Sequence, residues 1–419
     1  MEDLLTGALS RLDEAAKYVE VDKEVLERLR YPKETLSARL TVRMDDGSSR
    51  SFPAWRCRYD DTRGPTKGGI RFHPASSMEE AATLAFWMTF KCAVMNLPYG
   101  GGKGAVRVDV HELSRSELER LSRAYVHAFA GMIGPDRDIP APDVYTNSMV
   151  MGWMADEYSS IVRQPSPAVI TGKPLALGGS LGRDDATARG GFYLIKHLEK
   201  DLGLDKTAKR VVIQGYGNAG FHIARLLHAD GYRIVGVSDS RGAIVCEDGL
   251  DPHAVQATKV EQGSVTAHAG GKVRAVSSAE LLATECDMLV PAALEDEIHG
   301  DNAGTIRTGV ILELANGPVT PKGDAILRDK GVTILPDILA NAGGVTVSYF
   351  EWVQNRQGYY WGLEEIHERL RTIMETEGRR VWDIQAAKGV TMRTAAYVHA
   401  LERLSLAIGA HGTQSYFAG

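Results

Sequence analysis

A lysine surrounded by glycines is the feature of this sequence with the clearest chemical use. Lys103 stands in the run LPYGGGKGA, residues 97–105. Glycine has no side chain and adopts φ > 0 readily, so this backbone would let other groups approach the ammonium closely. The run is not a phosphate-binding P-loop, because Lys103 is followed by Gly104 rather than by Ser or Thr. The pattern predicts a chemical role for Lys103, and an ordinary glycine-rich turn is the alternative.

Two further lysines precede this run. Lys91 is the single charged residue between residues 81 and 102, in a pattern typical of a buried helix with Ser77 as its N-cap. A buried cation is costly without an anionic partner, so a salt bridge to an internal carboxylate is the alternative role for Lys91. Lys67 precedes a Gly-Gly pair in GPTKGGIRFHP, residues 64–74. Three lysines converging on one cleft would attract an anion with two carboxylates.

A carboxylate with a fixed position follows in DRDIPAPDV, residues 136–144. The two prolines exclude a helix and hold the chain extended up to Asp143. Beside a lysine cluster, Asp143 would act as a proton shuttle or as a salt-bridge partner. The segment alone leaves both roles open.

The second half of the chain carries a dinucleotide-binding pattern. A buried strand at 210–214 runs into GYGNAG at 215–220, and a helix over 221–229 and a second strand over 234–238 follow. In this context the glycines allow a pyrophosphate to approach the positive end of the helix. Asp239, about twenty residues beyond the glycines, is predicted to accept hydrogen bonds from the adenosine ribose.

Further strands are predicted over 287–291, 310–313 and 333–336, and they extend a parallel sheet. Ligands bind at the carboxyl ends of such strands, so the loops that follow would line the nicotinamide end of the cleft. One of these loops contains Asn316. The sequence supports its role as a cofactor contact and its role as a turn former equally.

Composition limits the protein class. A chain of 419 residues predicts two domains. The net charge of −6, without a basic run, argues against nucleic acid or an anionic membrane as partner. The four cysteines form no CxxC pair and the N-terminus has no uncharged apolar segment, so a cytoplasmic protein without a metal site is expected.

The first half contains the elements that must position the three lysines. Residues 1–30 have helical spacing, 35–60 alternate as strands around a turn at 45–47, and 113–133 form an amphipathic helical pattern. The pattern of the second half of the chain begins near residue 183.

Seven motifs, spread in order over nearly the full length, resemble those of the hexameric glutamate dehydrogenases in the amino-acid dehydrogenase superfamily. They are GPTKGGIRFHP, LPYGGGKG, DIPAPDVYTN, TGKPLALGGSLGRDDATARG, QGYGNAG, ELANGPVTP and NAGGVTVSYFEWVQN. The resemblance implies reversible oxidative deamination of L-glutamate to 2-oxoglutarate and ammonium with NAD or NADP. It also implies a homohexamer, or a hexamer shared with a paralogous subunit.

The same resemblance implies an α/β fold in two parts. One is a Rossmann-type dinucleotide-binding domain at 184–392. The other is an α/β substrate-binding and oligomerisation domain at 1–183, joined by a C-terminal helix at 393–419.

Roles for individual residues follow from the resemblance. Lys67 and Ser348 match the groups that hold the side-chain carboxylate of the substrate, and Lys91 matches the lysine on its α-carboxylate. Lys103 matches the catalytic lysine, and Asp143 matches the carboxylate that exchanges a proton with the amino group. The predicted cofactor set joins two residues that match family contacts, Thr187 and Asn218, to residues of the dinucleotide pattern: Gly215, Gly217, Gly220, Asp239 and Asn316.

The cofactor preference is finely balanced. Asp239 would repel a 2′-phosphate and so favours NAD slightly, whereas Arg241 could bind a 2′-phosphate.

Some positions near the matched residues depart from the family pattern. The chain reads CRYD at 57–60 where many relatives read Val-Gln-Tyr-Asn or Val-Gln-His-Asn, and it has Asn96 where Asp is common and Ala105 where Gly is common. None is a matched catalytic position. Because they flank the site, the alternative to an active enzyme is a catalytically weak regulatory paralogue within a hetero-oligomeric glutamate dehydrogenase, binding an amino-acid effector.

Overall fold

The computed structural model describes residues 4–206 and 208–418, which form two compact units. The first unit contains the chain up to Arg183 together with 345–367 and 397–418. The second contains 184–344 and 368–396. These boundaries differ from the sequence-based ones, because 345–367 lies with the first unit and the final return comes at 397 rather than 393. The reason is a set of contacts, such as that of Trp352 Nε1 with the Pro135 carbonyl at 2.9 Å, between residues far apart in sequence.

The elements follow one another in a mixed α/β order. The strands are β1 Glu34–Arg43, β2 Ser49–Asp60, β3 Thr66–Phe72, β4 Gly100–Val106, β5 Asp138–Pro142, β6 Arg210–Gln214, β7 Arg233–Asp239, β8 Gly242–Val245, β9 Arg274–Val276, β10 Met288–Pro291, β11 Val310–Leu312 and β12 Thr333–Leu335. The helices are α1 Leu4–Ala16, α2 Lys23–Leu29, α3 Met78–Val94, α4 Arg115–Phe129, α5 Ser148–Val162, α6 Ala186–Leu198, α7 Asn218–Ala229, α8 Pro252–Gln262, α9 Ser278–Leu282, α10 Pro321–Asp329, α11 Asp337–Ala340, α12 Gly343–Gln357, α13 Leu363–Lys388, α14 Met392–Gly409 and α15 Gln414–Phe417.

The first unit is built on a five-stranded mixed sheet in the order β1-β2-β4-β3-β5. β1 and β2 form the predicted antiparallel hairpin, and Gly47 takes a φ of 84° in its turn. β3 lies parallel to both β4 and β5, so the chain must cross over between them. The crossover after β3 is α3, and the crossover after β4 is α4.

The two crossover helices cover opposite faces of this sheet. The Ser77 side chain caps α3 by accepting from the Glu80 N–H at 3.1 Å, and most of the helix is buried, as its apolar run predicts. α4 begins at Ser114, which forms a capping box with Glu117. On this second face Tyr125 of α4 joins an apolar core built from β1 to β4, α4 and α5.

The glycine-rich run is a central strand, β4, and not the glycine-rich turn that was the alternative. Gly100, Gly101, Gly102 and Gly104 are buried and none of them has a positive φ. Their missing side chains allow close packing instead: a Cβ at Gly101 would lie 2.2 Å from the Ala85 carbonyl oxygen of α3. The glycines therefore bring a helix and the neighbouring strands close to the backbone that carries the lysine.

The second unit is a seven-stranded sheet in the order β12-β11-β10-β6-β7-β8-β9. The strands from β12 to β7 are parallel, as expected, and α7 follows β6 directly through the GYGNAG turn. β8 and β9 pair antiparallel at the edge. The sequence analysis did not predict these two strands.

Within the part of the chain that the structure describes, none of the helices combines the length and the hydropathy needed to cross a bilayer.

Candidate active site

The register of the first sheet brings the predicted lysines to one face. Lys67 pairs with Gly101 and Ile70 pairs with Gly104, so Lys103 lies level with Gly69. Because side chains alternate along strands, those of Lys67 and Lys103 share the face on which α3 packs. Asp143 directly follows β5. A Cβ atom placed on Gly69 would lie 2.7 Å from the Cβ of Asp143, so the Asp143 side chain lies on the same face.

Lys103 and Asp143 form an ion pair at the centre of this face. Arg71 Nε donates to the second carboxylate oxygen of Asp143 at 3.1 Å, and the Val144 N–H donates to it at 2.8 Å. Burial raises the pKa of Asp143, but the charges of Lys103 and Arg71 and these hydrogen bonds outweigh it and hold the pKa well below its usual range. Asp143 is thus a salt-bridge partner, one of its two predicted roles; its proton-transfer role stays a prediction.

Lys67 is the most deeply buried of the three lysines. Its side chain is 1% exposed, and Nζ donates a long hydrogen bond of 3.5 Å to the Pro140 carbonyl. It forms no ion pair with any residue in 4–206 or 208–418. Burial, followed by repulsion from Arg183 and Arg56, lowers the pKa of Lys67 to about 7. An anion entering beside Lys67 would stabilise its charged form.

Lys91 and Ser348 both lie on helices, and both residues belong to the first unit. Lys91 lies in the last turn of α3, the helix that packs against Gly101. Ser348 is buried on α12, which is fixed to the first unit by ring contacts of Tyr99 with Tyr349 and with Trp352, both at 5.6 Å between centroids. Tyr99 directly precedes β4, so these contacts link the helix that carries Ser348 to the strand that carries Lys103.

α12 is also held by a buried ion pair that the sequence analysis missed. Lys173 Nζ lies 2.7 Å from Glu351 Oε1, and the Gly172 N–H donates to Glu351 Oε2 at 2.8 Å. The residues are far apart in sequence, so no local pattern indicates the pair.

Two further groups near the lysines were missed. Arg71 pairs with Asp143 and also with Glu80 at 2.6 Å; its spacing of four residues from Lys67 along one strand was a usable signal. Arg56 forms a fully buried bidentate pair with Asp138, with both N···O distances at 2.6 Å, and donates to the Gly68 carbonyl at 3.1 Å. It thereby fixes the backbone beside Lys67.

The burial of Lys67 predicts a specific pH dependence of stability. Its pKa is lowered in the folded chain, so between about pH 7 and 10.5 the unfolded chain binds more protons, and stability rises with pH across that window. We expect Lys67→Met to raise the free energy of unfolding at pH 7 by more than about 1 kcal/mol and to flatten this rise. Urea unfolding at pH 7 and pH 9 measures both. A Lys67→Met protein less stable than the parent at pH 7 would contradict the prediction.

The second unit contains a cradle suited to a pyrophosphate. Gly215 has a φ of 92°, and a Cβ there would lie 2.8 Å from residues 292–293. A Cβ at Gly220 would lie 1.8 Å from the Gly215 carbonyl oxygen, whereas one at Gly217 would meet nothing within 4 Å. Gly217 is the N-cap of α7, so no side chain of the N-cap residue occupies the first N–H groups of the helix. The close contacts at Gly215 and Gly220 and the open space at Gly217 fit the binding of a dinucleotide.

A cavity of about 590 Å³ opens beside this cradle, and Gly215, Gly217 and Asp239 line it. Asp239 accepts from the Val265 N–H at 2.7 Å, the Arg241 N–H at 2.9 Å and the Ser264 hydroxyl at 3.1 Å. The protein therefore holds the carboxylate in a fixed direction at the end of β7. Its predicted contact with a ribose stays a prediction.

The remaining predicted cofactor residues lie on neighbouring loops and helix ends of the second unit. Asn218 begins α7 and donates to the Asp184 carbonyl at 2.7 Å, close in sequence to Thr187 in the first turn of α6. Asn316 follows β11 and accepts from the Asn341 side-chain amide at 3.0 Å. The next residue, Gly317, has a φ of 53°, and the chain bends at residues 315–317; the contact of Asn316 with a cofactor stays a prediction.

No group of three or more His, Cys, Asp or Glu side chains within 4–206 and 208–418 is placed to hold a metal ion.

Family models match most of the chain. A model described as Glutamate/Leucine/Phenylalanine/Valine dehydrogenase matches residues 178–412, and one described as Glu/Leu/Phe/Val dehydrogenase, dimerisation domain, matches residues 32–160. The chain belongs to the Glu/Leu/Phe/Val dehydrogenase family. The predicted membership and the α/β fold with a Rossmann-type unit are thereby confirmed.

Named relatives of this dehydrogenase cover nearly its full length. An NADP-specific glutamate dehydrogenase from Synechocystis sp. is 52% identical over 421 residues, covering 99% of this chain and 98% of the relative. An NAD-specific glutamate dehydrogenase from Staphylococcus aureus is 44% identical over 401 residues, covering 96% of each. The hetero-hexameric glutamate dehydrogenase from Thermus thermophilus, solved in a leucine-bound form, is 38% identical with a TM-score of 0.93, covering 99% of this chain and 98% of that one.

The departures from the family pattern make contacts of their own in this dehydrogenase. Arg58 pairs with Asp61 at 2.7 Å, and Asp60 pairs with Arg28 at 3.2 Å. Asn96 has a φ of 53° and accepts from Arg63 at 2.9 Å, while Ala105 packs in a small apolar cluster with Trp55 and Ala81. None of these contacts involves the five predicted catalytic and substrate-binding residues.

Proposed function

We propose that this protein is an NAD(P)-dependent glutamate dehydrogenase, which catalyses the reversible oxidative deamination of L-glutamate to 2-oxoglutarate and ammonium. The observation that supports the proposal most strongly is the ion pair of Lys103 with Asp143. It lies on the same sheet face as Lys67, which is buried and has a lowered pKa. The names of the relatives from Synechocystis and Staphylococcus aureus support the same reaction.

The charges of the site suit the substrate. Glutamate carries two carboxylates and one ammonium, and we assign Lys67 with Ser348 to its side-chain carboxylate and Lys91 to its α-carboxylate. The lowered pKa of Lys67 supports the first assignment, because a buried ammonium gains the most from an incoming anion.

Lys103 and Asp143 are assigned to the proton transfers. The nicotinamide of NAD or NADP, held by the glycine cradle and Asp239, would take up the hydride from the α-carbon. We assign Lys103, in its uncharged amine form, to deprotonating the water that adds to the resulting iminium carbon of the substrate. Asp143 accepts the amino proton and returns it as ammonium leaves, and its contact with Lys103 keeps both groups at the same carbon.

The alternative, a catalytically weak regulatory subunit, is not favoured. Lys67, Lys91, Lys103, Asp143 and Ser348 are all present, and the contacts described for Arg58, Asp60, Asn96 and Ala105 involve other residues. The proposal is tested by assaying reduction of NAD and of NADP by the purified chain with glutamate, with Asp143→Asn as the inactive control. Full activity of Asp143→Asn would overturn the assignment of Asp143.

We infer that the chain assembles as a homohexamer. The match of residues 32–160 to a dimerisation domain and the hetero-hexameric Thermus thermophilus relative support this, and the second also leaves room for a paralogous subunit. A cytoplasmic location remains a prediction, supported by four cysteines that are buried as free thiols.

The cofactor preference is predicted to lean toward NAD. Asp239 lines the cavity with its carboxylate held in place, and it would repel a 2′-phosphate, although Lys259 lines the same cavity. We expect Asp239→Asn, which keeps an acceptor for the Val265 N–H, to shift the kcat/KM ratio toward NADP by about tenfold.

Steady-state kinetics with both cofactors measure this ratio, and Asp248→Asn, an exposed carboxylate in the same unit, is the matched control. A clear NADP preference in the unmodified enzyme would contradict the lean toward NAD without affecting the proposed reaction.

A further inference from the structure

Tyr145 has a backbone conformation that large residues rarely adopt, and it lies two residues after Asp143. Its φ of 57° is in the left-handed region, where a side chain crowds the backbone. Its side chain is 48% exposed, and the proposed mechanism does not use it. Such a conformation persists only where the surrounding structure enforces it.

Two histidines enclose the Tyr145 ring. The His73 ring stacks on it, with centroids 5.9 Å apart and planes 2° from parallel. The His111 ring meets it edge-on at 5.4 Å and 77°. His73 is itself anchored to the end of β4, because its N–H donates to the Val106 carbonyl at 3.1 Å. We call Tyr145, His73 and His111 the aromatic clasp.

The turn that contains Tyr145 also orients Asp143. The Asp143 N–H donates to the Thr146 hydroxyl at 2.8 Å, and the Thr146 hydroxyl donates to the Ile70 carbonyl at 2.9 Å. The Phe72 N–H donates to the Val144 carbonyl at 3.0 Å, and the Thr146 N–H donates to the Asp143 carbonyl at 3.0 Å. The direction of the Asp143 carboxylate therefore depends on a turn that closes only if Tyr145 takes its left-handed conformation.

We propose that Tyr145 is a positioning residue for the reaction: the aromatic clasp enforces the left-handed turn at 143–146 and so holds the Asp143 carboxylate against Lys103. This inference rests on the proposed catalytic role of Asp143. It predicts that the turn forms in either of two cases. Residue 145 has a ring that the clasp holds, or residue 145 adopts the left-handed region without such help.

Four variants at position 145 distinguish these two cases. Tyr145→Phe keeps the ring, and Tyr145→Asn loses the ring but tolerates φ > 0. Tyr145→Ala loses the ring and keeps the steric penalty, and Tyr145→Gly loses the ring but adopts φ > 0 without a steric penalty. Tyr31→Ala, at another exposed tyrosine of the same unit, is the matched control.

We expect kcat of the Phe, Asn and Gly variants within about threefold of the parent, and kcat of the Ala variant reduced about tenfold or more, since small misplacements of catalytic groups cost that much. KM for glutamate should change by less than about twofold throughout, because the lysines that bind its carboxylates are untouched. Thermal unfolding and the oligomeric state of each variant are measured in parallel. If Tyr145→Ala does not fold, the double variant His73→Ala with His111→Ala decides the question, because it removes both rings that hold Tyr145, leaves the steric penalty in place and should lower kcat in the same way.

Three outcomes overturn the inference: parent-like kcat in the Ala variant, a Phe variant as impaired as Ala, or Asn and Gly variants both as impaired as Ala. The last two would indicate a role for the hydroxyl or the ring itself. Asp143→Asn is assayed alongside. If Asp143→Asn is inactive while all Tyr145 variants are fully active, the inference alone fails; if Asp143→Asn is active, the proposed role of Asp143 fails first.

Discussion

Replacing Lys103 with alanine should lower kcat at least about a hundredfold, because general-base catalysis is typically worth 10²–10⁴-fold. Lys103 is buried on β4 and its ammonium contacts Asp143, the other group assigned to proton transfer. The variant should still fold, because Arg71 at 3.1 Å remains to compensate the Asp143 carboxylate. Cofactor binding should also persist, since the glycine cradle belongs to the other unit.

Steady-state kinetics and thermal unfolding of Lys103→Ala test this expectation together. Lys103→Gln, which fills more of the space and can still donate to Asp143, separates the lost base from the lost volume. Lys322→Ala, at an exposed lysine on α10, is the matched control. Retention of more than about a tenth of the parent kcat by both Lys103 variants would show that Lys103 is not the general base.

Strong selectivity for glutamate over leucine and phenylalanine is the second large effect expected. Lys67 is buried with a single long hydrogen bond to Pro140, and Ser348 is buried on α12. An apolar substrate side chain would leave the buried ammonium uncompensated, at a cost of about 1–3 kcal/mol for an unsatisfied neutral group and more for a charged one. Sites built to hydrogen-bond a substrate group reject analogues without it by about 10⁴–10⁵ in favourable cases.

The double variant Lys67→Leu with Ser348→Val should move the preference toward aliphatic amino acids. Values of kcat/KM for glutamate, leucine and phenylalanine, measured on the parent and the double variant, test both statements. The single variant Ser348→Val should lose less selectivity than Lys67→Leu, because it removes a neutral group. If the parent used leucine within about tenfold of glutamate, Lys67 would not be the residue that binds the side-chain carboxylate.

Features with local signals could be predicted from the sequence. The dinucleotide cradle follows from a strand, three glycines, a helix and a second strand within one short segment, and all of these elements are present between 210 and 239. The extended segment before Asp143 follows from two prolines and is β5. The helix α7 begins at Asn218, three residues earlier than predicted, because Gly217 can serve as its N-cap without a side chain.

Features that depend on distant partners could not be predicted. The glycines around Lys103 have no room for a side chain because residues of β2, β3, α3 and α4 lie against them, and none of these neighbours is evident from the run itself. The Arg56–Asp138 pair joins residues 82 positions apart. The segment 345–367 returns to the first unit through contacts with Pro135 and Lys173 that no periodic pattern indicates.

The central claim is that this chain by itself oxidises glutamate through the Lys103–Asp143 pair. The most direct measurement incubates the purified chain alone with glutamate and NAD or NADP, and quantifies reduced nicotinamide, 2-oxoglutarate and ammonium in the same samples. We expect the three products in equal amounts from the parent and none above background from Lys103→Ala. Absence of 2-oxoglutarate with the parent and either cofactor, from a folded chain, would contradict the claim and favour a regulatory subunit.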